Sequence, residues 1–543
     1  MFAHGGELIA RSLKAQGIST LYTLCGGHIA PIYDGCLNHD IAVIDLRHEQ
    51  AAAHAADAHA RLTRNIGVAA VTAGPGVTDA VTGVANAYQA RSPLLLLGGA
   101  APLKTKGMGA LQEVPQVNMF KDFTKASFTI ETTEAIPEKF AEAYELMLSG
   151  RPGPVFIELP FDVLFNAIDM PDIPAKVTVE PVEPVQGDIA KLFELLRAAE
   201  KPVIIAGTQV YWDEGHDALK TLTDQTNIPV FTNGAGRGTL PMDHPNCFKA
   251  ARSAALKQSD AVILIGTPLD FRLKYGKDGW NDNAKLIQIE NDVDELHHNR
   301  QADVAMVADA RLVLEALSEG LQGIDFSAWR DVVAELEAPK NEKLEEWKQL
   351  DTDPINHFRM GAVLDDIIDE DTIVIGDGGD IVSACAKVIN ITRPGQWLDP
   401  GPLGCLGVGA PFAIAAKHLF PDKKVLIING DGSFGLNGFE FDTAIRFDLQ
   451  IVSVVGNDAG WGQIRNPVQN MLGEDRAIAT SLAPTRYDKV VEALGGYGEH
   501  IDQADDLRAA IERAFASGQS ACIDVRIDPK GMTKTGASTP YIV

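Results

Sequence analysis

Short runs of β-branched residues and leucine recur along the chain, each bounded by glycine, proline or aspartate and followed by helical spacing of apolar positions. Residues 66–71, 94–97 and 155–159 are such runs in the first third. A second set opens with a helical pattern at 189–199 and continues with runs at 203–206, 230–232, 261–265 and 286–289. A third set holds 372–375, 425–428, 451–455 and 521–526. Apolar strands that alternate with helices predict mainly parallel sheets covered on both faces. The expected fold class is therefore α/β, with three consecutive doubly wound domains. Two stretches break the pattern: 166–186 is proline-rich without a helical period, and 336–356 is charged without a strand. Both read as linkers, which sets the expected domains at 1–165, 187–335 and 357–543.

Composition adds exclusions rather than a function. The 543 residues are 45% hydrophobic and 22% charged, as in ordinary globular proteins. A net charge of −27 argues against nucleic acid or an acidic membrane as partner, so an anionic substrate would need a local basic patch. The six cysteines form no Cys-x-x-Cys pair, and the start of the chain lacks the basic and apolar regions of a signal peptide. No apolar run reaches the roughly 18 residues that span a bilayer. A reducing, cytoplasmic setting is expected.

The chemistry is concentrated after the apolar run at 425–428. That run passes through Asn429 into Gly430-Asp431-Gly432-Ser433, and the run at 451–455 leads into Asn457-Asp458-Ala459-Gly460-Trp461-Gly462. Glycines at a buried strand end let the backbone approach a phosphate, with the next helix N-terminus behind it. Asp431 and Asp458, with a backbone carbonyl, offer the oxygen ligands that a hard divalent cation prefers. A second copy, Gly376-Asp377-Gly378-Gly379, has Leu403-Gly404 at the corresponding distance and no side-chain ligand there. It reads as a strand-end turn able to touch phosphates through its backbone. In the first third, Glu49 follows Arg47-His48 at the head of an alanine-rich helix, near Gly26-Gly27-His28 and Thr72-Ala73-Gly74-Pro75-Gly76. Taken alone, Glu49 is an acidic residue favoured by a helix N-terminus.

Together these segments resemble the thiamine diphosphate (ThDP) enzymes, in the group of acetolactate synthase, benzaldehyde lyase and 2-hydroxyacyl-CoA lyase. The resemblance covers nearly the whole chain in the order pyrimidine-binding, middle and diphosphate-binding domain. It implies that Glu49 protonates the aminopyrimidine ring and that Asp431, Asp458 and the Gly460 carbonyl hold Mg²⁺. Gly26, Thr72, Gly74, Gly378, Gly379, Gly404, Leu406, Gly430, Gly432, Ser433, Trp461 and Gly462 are the implied cofactor contacts, with Leu406 wedged beneath the bent cofactor. Asp458 departs from the commoner asparagine.

His28 and Gln112 match residues that move the hydroxyl proton in benzaldehyde lyase. The run 236–256 is closer to the CoA enzymes, where such an arginine faces the CoA; Arg252, Lys274 and Lys277 could form the basic patch an acyl-CoA needs, the alternative being that they are solvated helix-end charges. Gly207-Thr208-Gln209 and Glu290 could meet ADP or FAD, which relatives hold in the middle domain, although the dinucleotide fingerprint is incomplete. The implied reaction is carbon–carbon lysis or ligation of 2-hydroxyketones or 2-hydroxyacyl-CoA through an enamine. Alternatives are an acetolactate-synthase-like condensation of 2-keto acids, or a cofactor-binding protein without catalysis. Active sites shared between chains imply a dimer or tetramer.

Overall fold

The computed structural model describes residues 2–534; the end of the third block, 535–543, lies outside the described residues. The first sheet orders its strands Ala42–Asp45, Thr20–Thr23, Gly67–Val71, Leu94–Ala100, Val155–Pro160 and Ala126–Thr129, all parallel. The middle sheet orders Val230–Thr232, Pro202–Ala206, Ala261–Ile265, Lys285–Glu290 and Val304–Val307, again parallel. The third orders Trp397–Leu398, Thr372–Asp377, Lys424–Gly430, Val452–Asn457, Ala521–Arg526 and Tyr497–Ile501. In each sheet the chain order reverses beside an early strand, and the crevice at the carboxyl ends of those strands is where such folds bind ligands.

Both stretches expected to be linkers carry structure. Ala167–Asp169 pairs antiparallel with Phe2–His4, tying the end of the first domain to its beginning. Ser327–Lys348 is a single helix that runs through Pro339. Its charged sequence hides it from periodicity, because only Trp329, Val333 and Glu337 are buried.

Domains one and three share a core. The helix Glu49–Thr63 is buried on nearly every side and packs on the helix Gly409–Leu419. Ala51, Ala52, Ala55 and Ala58 join Phe412, Ala413 and Ala416 in one cluster. Small side chains let the two helix backbones approach closely, so alanine is favoured at these positions for packing as well as propensity. Within the same interface Arg61 donates to both Asp57 oxygens at 2.8 and 2.6 Å and to the Asp399 carbonyl at 2.7 Å. The middle domain is tied to the first by a fully buried ion pair, Arg91 to Glu290 at 2.6 Å. It is tied to the third by Arg237, which lies 4.1 Å from the Trp397 ring centre and donates to the carbonyls of Ala386 and Ile389.

Candidate active site

The strands of the third sheet run further than their apolar cores. Lys424–Gly430 ends on the first glycine of Gly430-Asp431-Gly432, and Val452–Asn457 ends beside Asp458. The two strands are neighbours, with Gly430 opposite Gly456. Asp431 then opens the helix Asp431–Asn437. Its carboxylate accepts from the backbone N–H of Gly432 at 2.8 Å and of Gly460 at 2.9 Å, which joins the two strand-end loops. Burial pushes its pKa up. Asp458 is pushed up to about 7, first by burial and then by the negative charge of Asp431. Two buried carboxylates converging beside a glycine backbone form a hard-oxygen donor set of the kind that suits Mg²⁺.

A cavity of about 1100 Å³ opens over these loops. Gly378, Gly379, Gly404, Leu406, Gly430, Asp431, Gly432, Ser433, Asp458, Gly460, Trp461 and Gly462 all line it. The floor needs glycine. Gly378 has φ +153°, and a Cβ there would lie 2.8 Å from the Gly430 nitrogen. A Cβ on Gly432 would meet the Trp461 ring at 2.5 Å. Gly404 has φ +69° and open space on its Cβ side, a cradle that a side chain would begin to fill.

The second Gly-Asp-Gly has a task that its sequence did not disclose. Asp377 is fully buried and accepts from the backbone N–H groups of Gly407 at 3.0 Å and Gly409 at 2.8 Å. Asn429 donates to the same carboxylate at 3.2 Å. Asp377 therefore fixes the loop that carries Gly404 and Leu406, although burial still raises its pKa to about 6.

The residues from the first domain form a separate cluster at the carboxyl end of the first sheet. Gly26 lies against Thr72, where a Cβ would overlap the threonine side chain. His28 Nδ1 is 3.2 Å from Thr72 Oγ1, and burial lowers the pKa of the imidazole. Gly74, at φ +63°, is packed under Gln112. Glu49 is 8% exposed, and a Cβ on Gly76 would sit 3.4 Å from its Oε1. Burial, reinforced by Asp79, raises the pKa of Glu49.

Gln116 was not among the expected site residues, yet it pins this turn. Its Oε1 accepts from Gly74 N–H at 2.8 Å, and its Nε2 donates to Gly99 and Glu158. None of Glu49, His28 and Gln112 lines the large cavity. Within one chain the structure assembles two half-sites and does not join them.

Two expectations need correction. Arg252 lines the cavity, but Lys274 does not; Arg272 stands beside Arg252 instead, donating to Asp270. The segment Phe271–Gly276 turns through left-handed backbone at Lys274 and Tyr275, which carries Lys274 away. Glu290 does not face a nucleotide, because Arg91 occupies both of its oxygens in the interior.

A glycine-floored crevice at a strand switch, with paired carboxylates at adjacent strand ends, suits a metal-bound diphosphate and so a class of enzyme that works through a diphosphate-bearing cofactor. The sequence comparisons give the same class. Residues 3–119, 189–317 and 377–525 match, in turn, the N-terminal TPP binding, central and C-terminal TPP binding domains of the thiamine pyrophosphate enzymes. A probable acetolactate synthase of Mycobacterium bovis is 39% identical over 97% of this chain and 96% of its own length. The 2-hydroxyacyl-CoA lyase 2 of Caenorhabditis elegans is 37% identical over 96% and 89%, and that of Homo sapiens 36% over 96% and 88%. The chain belongs to the thiamine pyrophosphate enzyme family. It is a ThDP-dependent enzyme of carboligase and lyase type, with the three-domain α/β fold of that family. No helix among the described residues is long and apolar enough to cross a membrane.

Proposed function

We propose that this enzyme cleaves or forms the carbon–carbon bond of 2-hydroxyacyl thioesters, with 2-hydroxyketones as simpler substrates. The observation that carries this reading is the composition of the cavity wall. From the glycine floor it extends to Lys249, Arg252, Lys340 and Lys387, a set of cationic side chains on a chain of net charge −27. Such a wall is the local patch that an anionic, nucleotide-bearing thioester requires.

ThDP, when bound, supplies the electron sink that stabilises a carbanion next to the broken bond. The chain's residues bind and position it. Asp431, Asp458 and the Gly460 carbonyl would hold Mg²⁺ on the diphosphate. Gly378, Gly379, Gly430, Gly432, Ser433 and Gly462 leave room for the phosphates, with Trp461 closing one side. Leu406 and Gly404, which line the same cavity, would hold the cofactor's bend and its amino group. Glu49 would share a proton with the pyrimidine ring nitrogen, a role that its raised pKa suits. His28, kept neutral near pH 7 by its lowered pKa, takes the substrate hydroxyl proton with help from Gln112.

Glu49 and the cavity would meet between two copies of the chain. Leu403, Leu436, Phe439 and Ile464 are exposed around the diphosphate half-site, and Met108 and Leu111 beside Gln112. A second copy covering both surfaces would bury them. A homodimer or a tetramer of such dimers follows, located in a reducing cytoplasm where the six cysteines remain free. We set the domain limits at 1–169, 187–348 and 357–543, so that the strand Ala167–Asp169 stays with the first domain and the helix Ser327–Lys348 is left whole.

The second reading is condensation of 2-keto acids, favoured by the 39% identity to a probable acetolactate synthase. The test is a panel of benzoin, acetoin, pyruvate and a 2-hydroxyacyl-CoA with ThDP and Mg²⁺. Aldehyde release from the thioester is expected. Acetolactate from pyruvate, with no aldehyde from any hydroxyketone or thioester, would replace the first reading by the second.

A further inference from the structure

Arg465 stands in the cation half of the site and has no part in the chemistry above. The helix Gly462–Leu472 begins directly after the Asp458–Trp461 loop and brings Arg465 back over it. Its guanidinium contacts Asp458 Oδ2, and the two side chains are 11% and 9% exposed. The arginine crosses Gly460 so closely that a Cβ on that glycine would overlap its Nη1. On the other side, a Cβ on Gly462 would lie 2.9 Å from Asp458 Oδ2 and 3.2 Å from Asp380 Oδ2. Arg465 thus contacts Asp458 directly, and its charge also acts on Asp431 and Asp380.

That grouping poses an electrostatic conflict. Adding a carboxylate where a neutral carboxamide would suffice strengthens the hold on a divalent cation. The same charge repels the diphosphate that must share the cation, and repulsion is strong in a partly desolvated site. An arginine cannot lose its proton near neutral pH, so its contact with Asp458 is a permanent counter-charge.

We propose that Arg465 is a positioning residue that offsets the charge of Asp458, so that the cation is bound firmly only together with the cofactor diphosphate. The inference rests on the Mg²⁺–diphosphate reading of Asp431 and Asp458. It differs from that reading in what it demands of the empty protein: Arg465 must weaken metal binding when ThDP is absent.

The experiment measures Mn²⁺ binding by electron paramagnetic resonance without ThDP, and ThDP binding by calorimetry at saturating Mn²⁺. Arg465→Gln should bind Mn²⁺ alone about tenfold more tightly and ThDP about tenfold more weakly, the effect of one charge at close range. Asp458→Asn added to Arg465→Gln should return both affinities to near the parent values. Arg465→Lys, which keeps the charge, should resemble the parent, and thermal unfolding checks that each variant is folded. The proposal is overturned if Arg465→Gln leaves both affinities unchanged, weakens both together, or acts undiminished when Asp458 is already asparagine. A parent protein that binds no Mn²⁺ even with ThDP would overturn the metal-site reading beneath it.

Discussion

The backbone N–H of Arg47 donates to both carboxylate oxygens of Glu440, at 2.9 and 3.2 Å, across the contact between the first and third domains. Glu440 is buried and also receives the Thr443 hydroxyl at 2.7 Å. Nearby, Arg446 pairs with Asp45 at 3.1 Å. The third domain thus grips the loop that delivers Glu49, two residues beyond Arg47, without being part of the same half-site.

Glu440→Ala should therefore lower kcat/KM about tenfold or more, the worth of a hydrogen bond to a charged group. ThDP affinity should be little changed, because Glu440 is absent from the cavity lining. Steady-state kinetics and calorimetry on one preparation separate the two effects.

Glu49→Gln keeps the size of the side chain and removes its exchangeable carboxyl proton. Turnover should fall about a hundredfold or more, within the range of general acid–base catalysis. Unchanged turnover would remove Glu49 from the mechanism.

Gly378→Ala should be costly although only one methyl group is added. The new Cβ would lie 2.8 Å from the Gly430 nitrogen, and φ +153° is a conformation nearly reserved for glycine. About 1–3 kcal/mol of stability should be lost, together with ThDP affinity as the two strand-end turns are forced apart. Thermal unfolding and ThDP titration measure both.

Three buried histidines set a pH window. Burial lowers His54, His59 and His357 to about 4, against an unfolded value of about 6.5. Between those values the unfolded chain binds more protons, so this contribution to stability is complete above 6.5 and declines as pH falls toward 4. Each group accounts for up to about 3 kcal/mol across the window. Both ring nitrogens of His54 are buried without a hydrogen-bond partner. His54→Leu should thus make the fall in unfolding temperature shallower without lowering it at neutral pH. An equally steep fall in the variant would refute this assignment.

What the sequence disclosed was local. Gly430-Asp431-Gly432 and Asp458 stand at the ends of adjacent strands, so a regular strand–helix–strand spacing carries them to one cavity. Asp377 was different: its partners, Gly407 and Gly409, lie about thirty residues away on a loop that no periodicity describes. Gln116 reaches Gly74 from another loop, and Arg91 removes Glu290 from the surface by an interdomain ion pair. Arg465 and Arg272 both became visible only after their short loops had turned back. Composition hid the helix over Ser327–Lys348, whose polar faces are exposed and whose Pro339 argues against it. Fold class depends on strand and helix patterns that repeat; the supporting residues depend on tertiary contacts that do not.

The separation of the two half-sites within one chain has a consequence for mixtures. In a dimer that shares its sites, a chain lacking Glu49 damages one chamber, while a chain lacking Asp431 damages the other half of a chamber. Pairing the two lesions in one hybrid dimer places both defects in the same chamber and leaves the other intact. If the subunits reassort at random, half of the dimers are hybrid and each has one working site of two, so about a quarter of normal activity should return. Two dead proteins, mixed, would then make a living enzyme.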